Sequence, residues 1–173
     1  MVQLNVIGIH YQIYVIDNGS LDDSVKAVRE RFPQVIVIEN QENKGFAAAV
    51  NQALGKNAAT YSVLINTDTL LHKNAIRVMY SFMNQRKDVG IAGAQLEKPD
   101  GTRQHSYDNY PTLATELFNK SLLQWLFPYR YPSKKQSIVQ PMEVESVIGA
   151  CMMIRNEAIK NVGKLDEDYF FFL

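Results

Sequence analysis

Apolar residues follow two different periods along the first hundred positions of the chain. Four short runs are rich in β-branched and aromatic residues and end near turn-forming residues such as Asn-Gly, which is typical of strands. Between these runs, apolar residues recur every three or four positions, as on one face of a helix. The pattern predicts strands over residues 12–19, 34–40, 61–66 and 89–96, and helices over residues 22–32, 45–58 and 73–88.

Strands that alternate with helices at this spacing predict an α/β fold with a mostly parallel central sheet and helices on both faces. In such sheets, ligands bind beyond the carboxyl ends of the strands. Polar segments follow three of the predicted strands at that edge, at residues 17–20, 40–45 and 66–69. We therefore expect these three segments to surround one crevice.

The pattern is less regular after residue 97. The stretch "KPDGT" (98–102) predicts a tight turn. The remaining apolar patterns predict an amphipathic helix over 112–127, a basic loop over 128–141, a strand over 144–155 that contains Gly149, and a short helix over 156–163.

Composition limits the classes of function. The 173 residues suit one domain, and 46% apolar with 21% charged residues is typical of a globular protein. Eighteen basic residues balance eighteen acidic ones, so no overall field attracts nucleic acid. No apolar run approaches the roughly 20 residues that span a bilayer, no signal peptide is recognised, and the one cysteine suits a reducing compartment. We expect a cytoplasmic protein.

Asn66 and Asp68 lie two positions apart at the end of the predicted strand 61–66. Their side chains therefore leave the same face of the extended chain, roughly 6–7 Å from each other. That spacing lets both address one divalent cation, Mg²⁺ or Mn²⁺, whose remaining ligands are water and substrate phosphate. The alternative is that Asp68 caps the following helix or its turn. From these residues alone both interpretations stay open.

The other two polar segments carry similar alternatives. "DNGS" (17–20) predicts a turn, with Ser20 or Asp22 as a helix cap, or a contact between Asp17 and a base or ribose. "NKGFAAAVNQA" (43–53) offers Gly45 where a ligand approaches closely, with Asn51 facing inward, or else a loop and a packed helix.

Taken together, "VIDNGSLDDS", "NKGFAAAVNQA" and "LINTDT", followed by "PDGTRQHS" and "VIGACMMIRNEAIKNVGKLDEDYFFF", resemble family-2 glycosyltransferases, most closely the bacterial rhamnosyltransferase-like branch. The resemblance implies the GT-A fold, a three-layer sandwich, with residues 11–100 as a nucleotide-binding half and residues 101–173 as a partial acceptor-side half. The site residues that it implies are Asp17, Asn18, Gly19 and Ser20 for the nucleotide, Asn43, Gly45 and Asn51 for ribose and phosphates, Asn66 and Asp68 for the metal, and Gly149 and Ala150 beside sugar and acceptor.

The resemblance also implies a reaction, an inverting displacement on a nucleoside-diphosphate sugar by a saccharide or lipid-linked acceptor. The donor that it favours is dTDP-rhamnose. The family's general base lies in a Glu-Asp pair expected just beyond Leu173, which leaves Asp166 as a weak substitute. The chain is therefore expected to be truncated at both ends. The family's first strand is also expected to be missing, with self-association or the chain's own N-terminus, "MVQLNVIGIHY", covering the open sheet.

Two other functions stay open at this point. One is a non-catalytic remnant or nucleotide-binding module, and the other is a sugar nucleotidyltransferase, which would need a glycine-rich basic loop near its start. Residues 112–127 suit contact with the inner face of a membrane or packing on the core. His10, His72 and His105 share no metal-ligand spacing, and Cys151 is expected to be a packing residue.

Overall fold

The computed structural model describes residues 9–54, 56, 58–108, 110 and 140–169. Its strands are β1 (Tyr14–Asn18), β2 (Ile36–Asn40), β3 (Tyr61–Ile65), β4 (Ile91–Gly93), β5 (Tyr107–Asp108), β6 (Ser146–Val147) and β7 (Cys151–Arg155). Its helices are α1 (Ser24–Arg31), α2 (Phe46–Asn51), α3 (Ala75–Gln85) and α4 (Asn156–Val162).

The described strands form three small sheets. β1 and β2 are parallel, with Tyr14 opposite Ile36. β7 lies between β3 and β4 and is antiparallel to both, while β5 and β6 form an antiparallel pair. The α/β class is confirmed. The sequence predicted a mostly parallel sheet, but among the described strands only β1 and β2 pair in parallel. The reason is that β7 comes from the second half of the chain, so no short helical crossover dictates its direction.

Two predicted elements have different bounds. The apolar run 144–155 is not one strand, because a turn at Gly149 and Ala150 separates β6 from β7. The helix predicted over 45–58 ends at Asn51. After it, the amides of Gln52 and Ala53 bond to carbonyls three residues back, which tightens the chain out of the α-helix.

The core forms around β7, whose five residues are all buried. Cys151 and Met153 pack against Met79 and Met83, which are the buried residues of α3. The packing role predicted for Cys151 is confirmed, and burial raises the pKa of its thiol. The core therefore fixes the position of the β7 start, next to the end of β3.

Arg155 ties the other end of β7 to α3. It is 8% exposed, and its guanidinium donates to the carbonyls of Met83 (2.7 Å), Arg86 (2.9 Å) and Val89 (3.0 Å) and to the hydroxyl of Tyr61 (3.1 Å). The ring of Tyr61 also lies 5.2 Å below the guanidinium carbon. The positive charge thus occupies the carboxyl end of α3, where the helix leaves carbonyl groups unpaired.

The predicted helix 112–127 and most of the predicted loop 128–141 lie outside the described residues. Within the described ranges, no helix has the length and apolar character needed to cross a membrane. The division into halves at residue 100 stays a prediction.

Candidate functional site

The end of β1 is a tight turn held by a carboxylate. Asp17 Oδ2 accepts the backbone N–H groups of Gly19 (3.2 Å) and Ser20 (3.1 Å). Gly19 has φ +88°, and a Cβ there would lie 2.9 Å from the carbonyl carbon of Glu42. The turn interpretation of "DNGS" is therefore correct. The cap predicted at Ser20 or Asp22 is wrong, because α1 begins at Ser24 with Asp23 in the N-cap position. Asp22 lies beside it, and its Oδ1 accepts the Ser24 amide (3.0 Å).

Asparagine side chains join this turn to the β2–α2 loop (residues 41–45). Asn18 Nδ2 donates to Asn43 Oδ1 (2.6 Å) and to the Gly45 carbonyl (3.3 Å). Asn18 Oδ1 accepts Asn40 Nδ2 (3.2 Å) and the Lys44 amide (3.1 Å). Four contacts thus occupy one side chain. The predicted proximity of the first two polar segments is confirmed by these bonds.

The third polar segment is held by the turn that precedes β7. The backbone N–H of Asn66 and the hydroxyl of Thr69 both donate to the carbonyl of Ala150, at 3.0 and 3.3 Å. The Thr69 amide closes a turn on the Asn66 carbonyl (3.1 Å). These bonds leave the Asp68 side chain exposed, without a hydrogen-bond or ion-pair partner among the described residues.

The capping interpretation of Asp68 is wrong. α3 begins at Ala75 with Asn74 in the N-cap position, six residues beyond Asp68 in the chain. The turn at 66–69 is closed by backbone atoms instead. The Asp68 carboxylate therefore neither caps α3 nor closes the turn, and it is available to a ligand.

Gly149 and Ala150 lie between the third polar segment and the start of α2. A Cβ on Gly149 would lie 3.6 Å from Cζ of Phe46, the residue that follows the β2–α2 loop. Ala150 accepts from Asn66 and Thr69 on the other side. The β2–α2 loop is itself bonded to the Asp17 turn through Asn18. The third segment is thus linked to the other two through the Gly149–Ala150 turn and Phe46, and the crevice that they are expected to surround stays a prediction.

Asn51 makes contacts that the sequence did not indicate. Its side chain is 5% exposed and bonds to Leu165 and Glu167. Asp166, between them, is exposed, and its Oδ1 accepts the Asp168 amide (3.0 Å). No local pattern predicts this pairing, since Asn51 and Leu165 are 114 positions apart.

The described residues contain no group of three or more His, Cys, Asp or Glu that could hold a metal ion. His72 lies 3.1 Å from Glu97 on an exposed surface. Asp68 with Asn66 therefore offers one carboxylate and one amide. That set suits a cation whose other ligands come from a diphosphate, and it does not suit a site formed by protein alone.

Comparison with known proteins places these observations in a family. The family model described as "Glycosyl transferase family 2" matches residues 4–163. Two Mycobacterium tuberculosis proteins, from strains CDC 1551 / Oshkosh and ATCC 25618 / H37Rv, are named N-acetylglucosaminyl-diphospho-decaprenol L-rhamnosyltransferase. Each is 26% identical over 180 residues, and the match covers 93% of this chain and 57% of the relative. This chain thus spans little more than half the length of the curated relatives.

A solved structure with the same fold is the mannosyltransferase PcManGT from Pyrobaculum calidifontis in complex with GDP-Man and Mn²⁺. It is 18% identical with a TM-score of 0.56, and the match covers 91% of this chain and 39% of that one. This likeness supports the GT-A fold. Because the family model covers most of the sequence, the chain belongs to glycosyl transferase family 2.

Proposed function

We propose that this chain forms the sugar-nucleotide part of an inverting glycosyltransferase, which transfers a sugar from a nucleoside-diphosphate sugar to a saccharide or lipid-linked acceptor. The observation that carries the proposal is the Asp68 carboxylate. It is exposed, has no partner among the described residues, and lies in the turn 66–69, whose two ends bond to Ala150. Membership of the family supplies the class of reaction.

Asp68, with Asn66, is the pair that would hold a divalent cation, Mg²⁺ or Mn²⁺. When bound, the cation offsets negative charge on the departing diphosphate. The Mn²⁺ in the PcManGT complex belongs to that protein and supports a divalent ion here in general terms. The choice of ion is part of the proposal.

The turns of this chain would position the nucleotide. Asp17 fixes the β1 turn, and Asn18 fixes the β2–α2 loop against it, so both are already ordered before a ligand arrives. The residues proposed to contact donor or acceptor are Asp17, Asn18, Gly19, Ser20, Asn43, Gly45, Asn66, Gly149 and Ala150. Asn51, which the resemblance implies for ribose and phosphates, is left out because its side chain is bonded to Leu165 and Glu167.

In the proposed displacement, the acceptor hydroxyl oxygen forms a bond to the anomeric carbon. The bond from that carbon to the diphosphate oxygen breaks, and the diphosphate leaves with the electron pair. A carboxylate accepts the hydroxyl proton. Asp166 stays a weak prediction for this base.

The donor and acceptor are proposed from similarity. The curated relatives are named as rhamnosyltransferases of a diphospho-decaprenol substrate, and the solved structure holds GDP-mannose. They support a hexose donor and a lipid-linked acceptor. Within these classes we propose dTDP-rhamnose and an acceptor at the inner face of the membrane, as the resemblance implies. Self-association stays a prediction, in line with the described strands, where β1 pairs only with β2 and β3 only with β7.

The test is calorimetry of the chain with dTDP, UDP and GDP, each with and without Mn²⁺. We expect at least one nucleotide to bind and Mn²⁺ to tighten that binding. The Asp68→Asn variant is expected to lose about 10-fold or more of the Mn²⁺-dependent affinity, since even outer ligands of a metal contribute about 10–100-fold. Chelation by EDTA is expected to reduce the parent to the affinity of the variant.

Glu157→Gln is the matched control, because Glu157 is an exposed carboxylate on α4, at the opposite end of β7. Its binding is expected to equal that of the parent. An equal Mn²⁺ effect in the parent and Asp68→Asn would remove Asp68 from the site, and a chain that binds none of the nucleotides would refute the proposal. Transfer of a sugar to an acceptor would favour the glycosyltransferase over the nucleotide-binding module. The family match replaces the sugar nucleotidyltransferase interpretation.

A further inference from the structure

Asn51 joins two parts of the molecule that are distant in sequence. Its Nδ2 donates to the Leu165 carbonyl (2.7 Å) and to Glu167 Oε1 (2.8 Å), while its Oδ1 accepts the Leu165 amide (3.1 Å). The Lys164 ammonium adds a bond to the Asn51 carbonyl (3.0 Å). These bonds hold residues 164–168, which we name the α4 tail, against the end of α2.

The geometry of this contact is specific. The Asn51 amide pairs with both backbone groups of Leu165, as a neighbouring strand residue does, and its second N–H reaches Glu167. An asparagine has one amide oxygen and two N–H donors, so the side chain uses both donors and its acceptor on this one segment. Since it is only 5% exposed, little of it is left for a ligand.

The other end of α2 lies at the candidate site. The helix begins at Phe46, directly after Gly45 of the β2–α2 loop, and Phe46 packs near Gly149. Six helical residues span only about 9 Å. The loop proposed to line the diphosphate and the clamp on the α4 tail are therefore the two ends of one short rigid element.

The α4 tail is rich in carboxylates. It follows Gly163, whose φ of +97° turns the chain out of α4, and it contains Asp166, Glu167 and Asp168. The bond from the Asp168 amide to Asp166 lies within the tail, whereas the bonds to Asn51 connect it to α2. The position of the tail relative to the nucleotide half therefore depends on Asn51.

We propose that Asn51 is a positioning residue that transmits nucleotide binding from the β2–α2 loop to the α4 tail. This inference rests on the proposed function, since it takes a nucleoside diphosphate as the ligand of that loop. A nucleotide that contacts the loop stabilises this arrangement of the loop and of α2, and so strengthens the Asn51 clamp. By reciprocity, the clamp strengthens nucleotide binding to the same degree.

The test is hydrogen exchange of the peptide that contains residues 164–168, with and without a saturating nucleoside diphosphate and Mn²⁺. The Leu165 amide donates to Asn51, so its exchange reports the clamp directly. We expect the nucleotide to slow exchange by about 5-fold or more in the parent chain. In Asn51→Ala, the nucleotide is expected to bind more weakly and to leave exchange of this peptide unchanged.

Asn156→Ala is the matched control. Asn156 is a second buried asparagine, which bonds to Ser62 and Ala59 at the opposite end of β3. Its loss destabilises the fold without touching the α4 tail, so nucleotide-dependent slowing is expected to persist. If Asn51→Ala does not fold, Glu167→Ala replaces it, because this exposed residue contributes only one of the bonds and is expected to reduce the slowing partially.

The outcomes separate the two proposals. A parent chain that binds no nucleotide would overturn the proposed function and this inference together. A parent that binds nucleotide without slowing of exchange in residues 164–168 would overturn this inference alone. Equal slowing in the parent and Asn51→Ala would also overturn it, as would unchanged slowing in Glu167→Ala when that variant takes its place.

Discussion

At the scale of single residues, two glycines with positive φ differ in how closely the rest of the chain packs against them. Gly19 (φ +88°) and Gly101 (φ +77°) both adopt a backbone that other residues rarely accept. A Cβ on Gly19 would lie 2.9 Å from the Glu42 carbonyl carbon, whereas one on Gly101 would have nothing within 4 Å. The Gly19 turn therefore combines backbone strain with close packing against the β2–α2 loop.

Replacing each glycine by alanine separates these two effects. We expect Gly101→Ala to lower the free energy of unfolding by about 1–2 kcal/mol from the backbone alone. Gly19→Ala is expected to lower it by about 2–4 kcal/mol, because the added contact with Glu42 acts as overpacking. Urea denaturation of both variants measures the difference, and equal losses would contradict the contact.

At the scale of elements, Arg155 is the residue that holds strand and helix together. Its guanidinium, buried at the end of β7, donates to the Met83 and Arg86 carbonyls at the end of α3. Among the described residues no carboxylate bonds to it, so its charge is stabilised by carbonyl groups and the Tyr61 ring. Arg155 thus supports the orientation of α3 against β7, together with the packing of Met79 and Met83 on Cys151 and Met153.

Arg155→Met keeps much of the length of the side chain and removes its donors. We expect a loss of about 3–5 kcal/mol in the free energy of unfolding, because hydrogen bonds from a charged group contribute about 1.5–3 kcal/mol each. Arg29→Met is the control, since the Arg29–Glu39 pair is about half exposed and is expected to contribute less than about 1 kcal/mol. Similar losses in the two variants, measured by denaturation, would contradict this role for Arg155.

At the scale of the whole molecule, the change in stability with falling pH depends on individual carboxylates, because the basic and acidic residues balance at neutral pH. Eighteen basic and eighteen acidic residues leave no net field at neutral pH. Three exposed carboxyl groups nevertheless have lowered pKa values, through hydrogen bonds from Ser24 to Asp22, Arg86 to Asp88, and Thr102 to Asp100. Each of these bonds favours the charged form in the folded protein.

The Arg86–Asp88 pair provides the test in acid. Its hydrogen bond lowers the pKa of Asp88 from 3.8 to about 2. A pKa that is lower in the folded state contributes stability above the unfolded value, and that contribution is lost as the pH falls from about 4 toward 2. Asp88→Asn is expected to flatten this part of the profile of Tm against pH, and parallel profiles of parent and variant would contradict the assignment.

Much of the fold and part of the site were predictable from local pattern. β1, β2, β3, α1, α3 and α4 lie within the predicted ranges, because periodicity and turn residues are local properties. The proximity of the Asp17 turn and the β2–α2 loop was also predictable, since strands that alternate with helices place their ends at one edge. Whether Asp68 caps the following helix could not be predicted from local pattern, because the answer depended on where α3 begins.

The alternation of elements, the polar segments at the strand ends and the motifs of the family could all be predicted before folding. Each of these features is encoded within a few neighbouring residues. Three features became visible only in the folded chain: β7 lies antiparallel between β3 and β4, the Ala150 carbonyl accepts the Asn66 amide, and Asn51 bonds to Leu165. These pairs are tens of residues or more apart in the chain. Their contacts follow from which surfaces are buried together, and no local pattern carries that information.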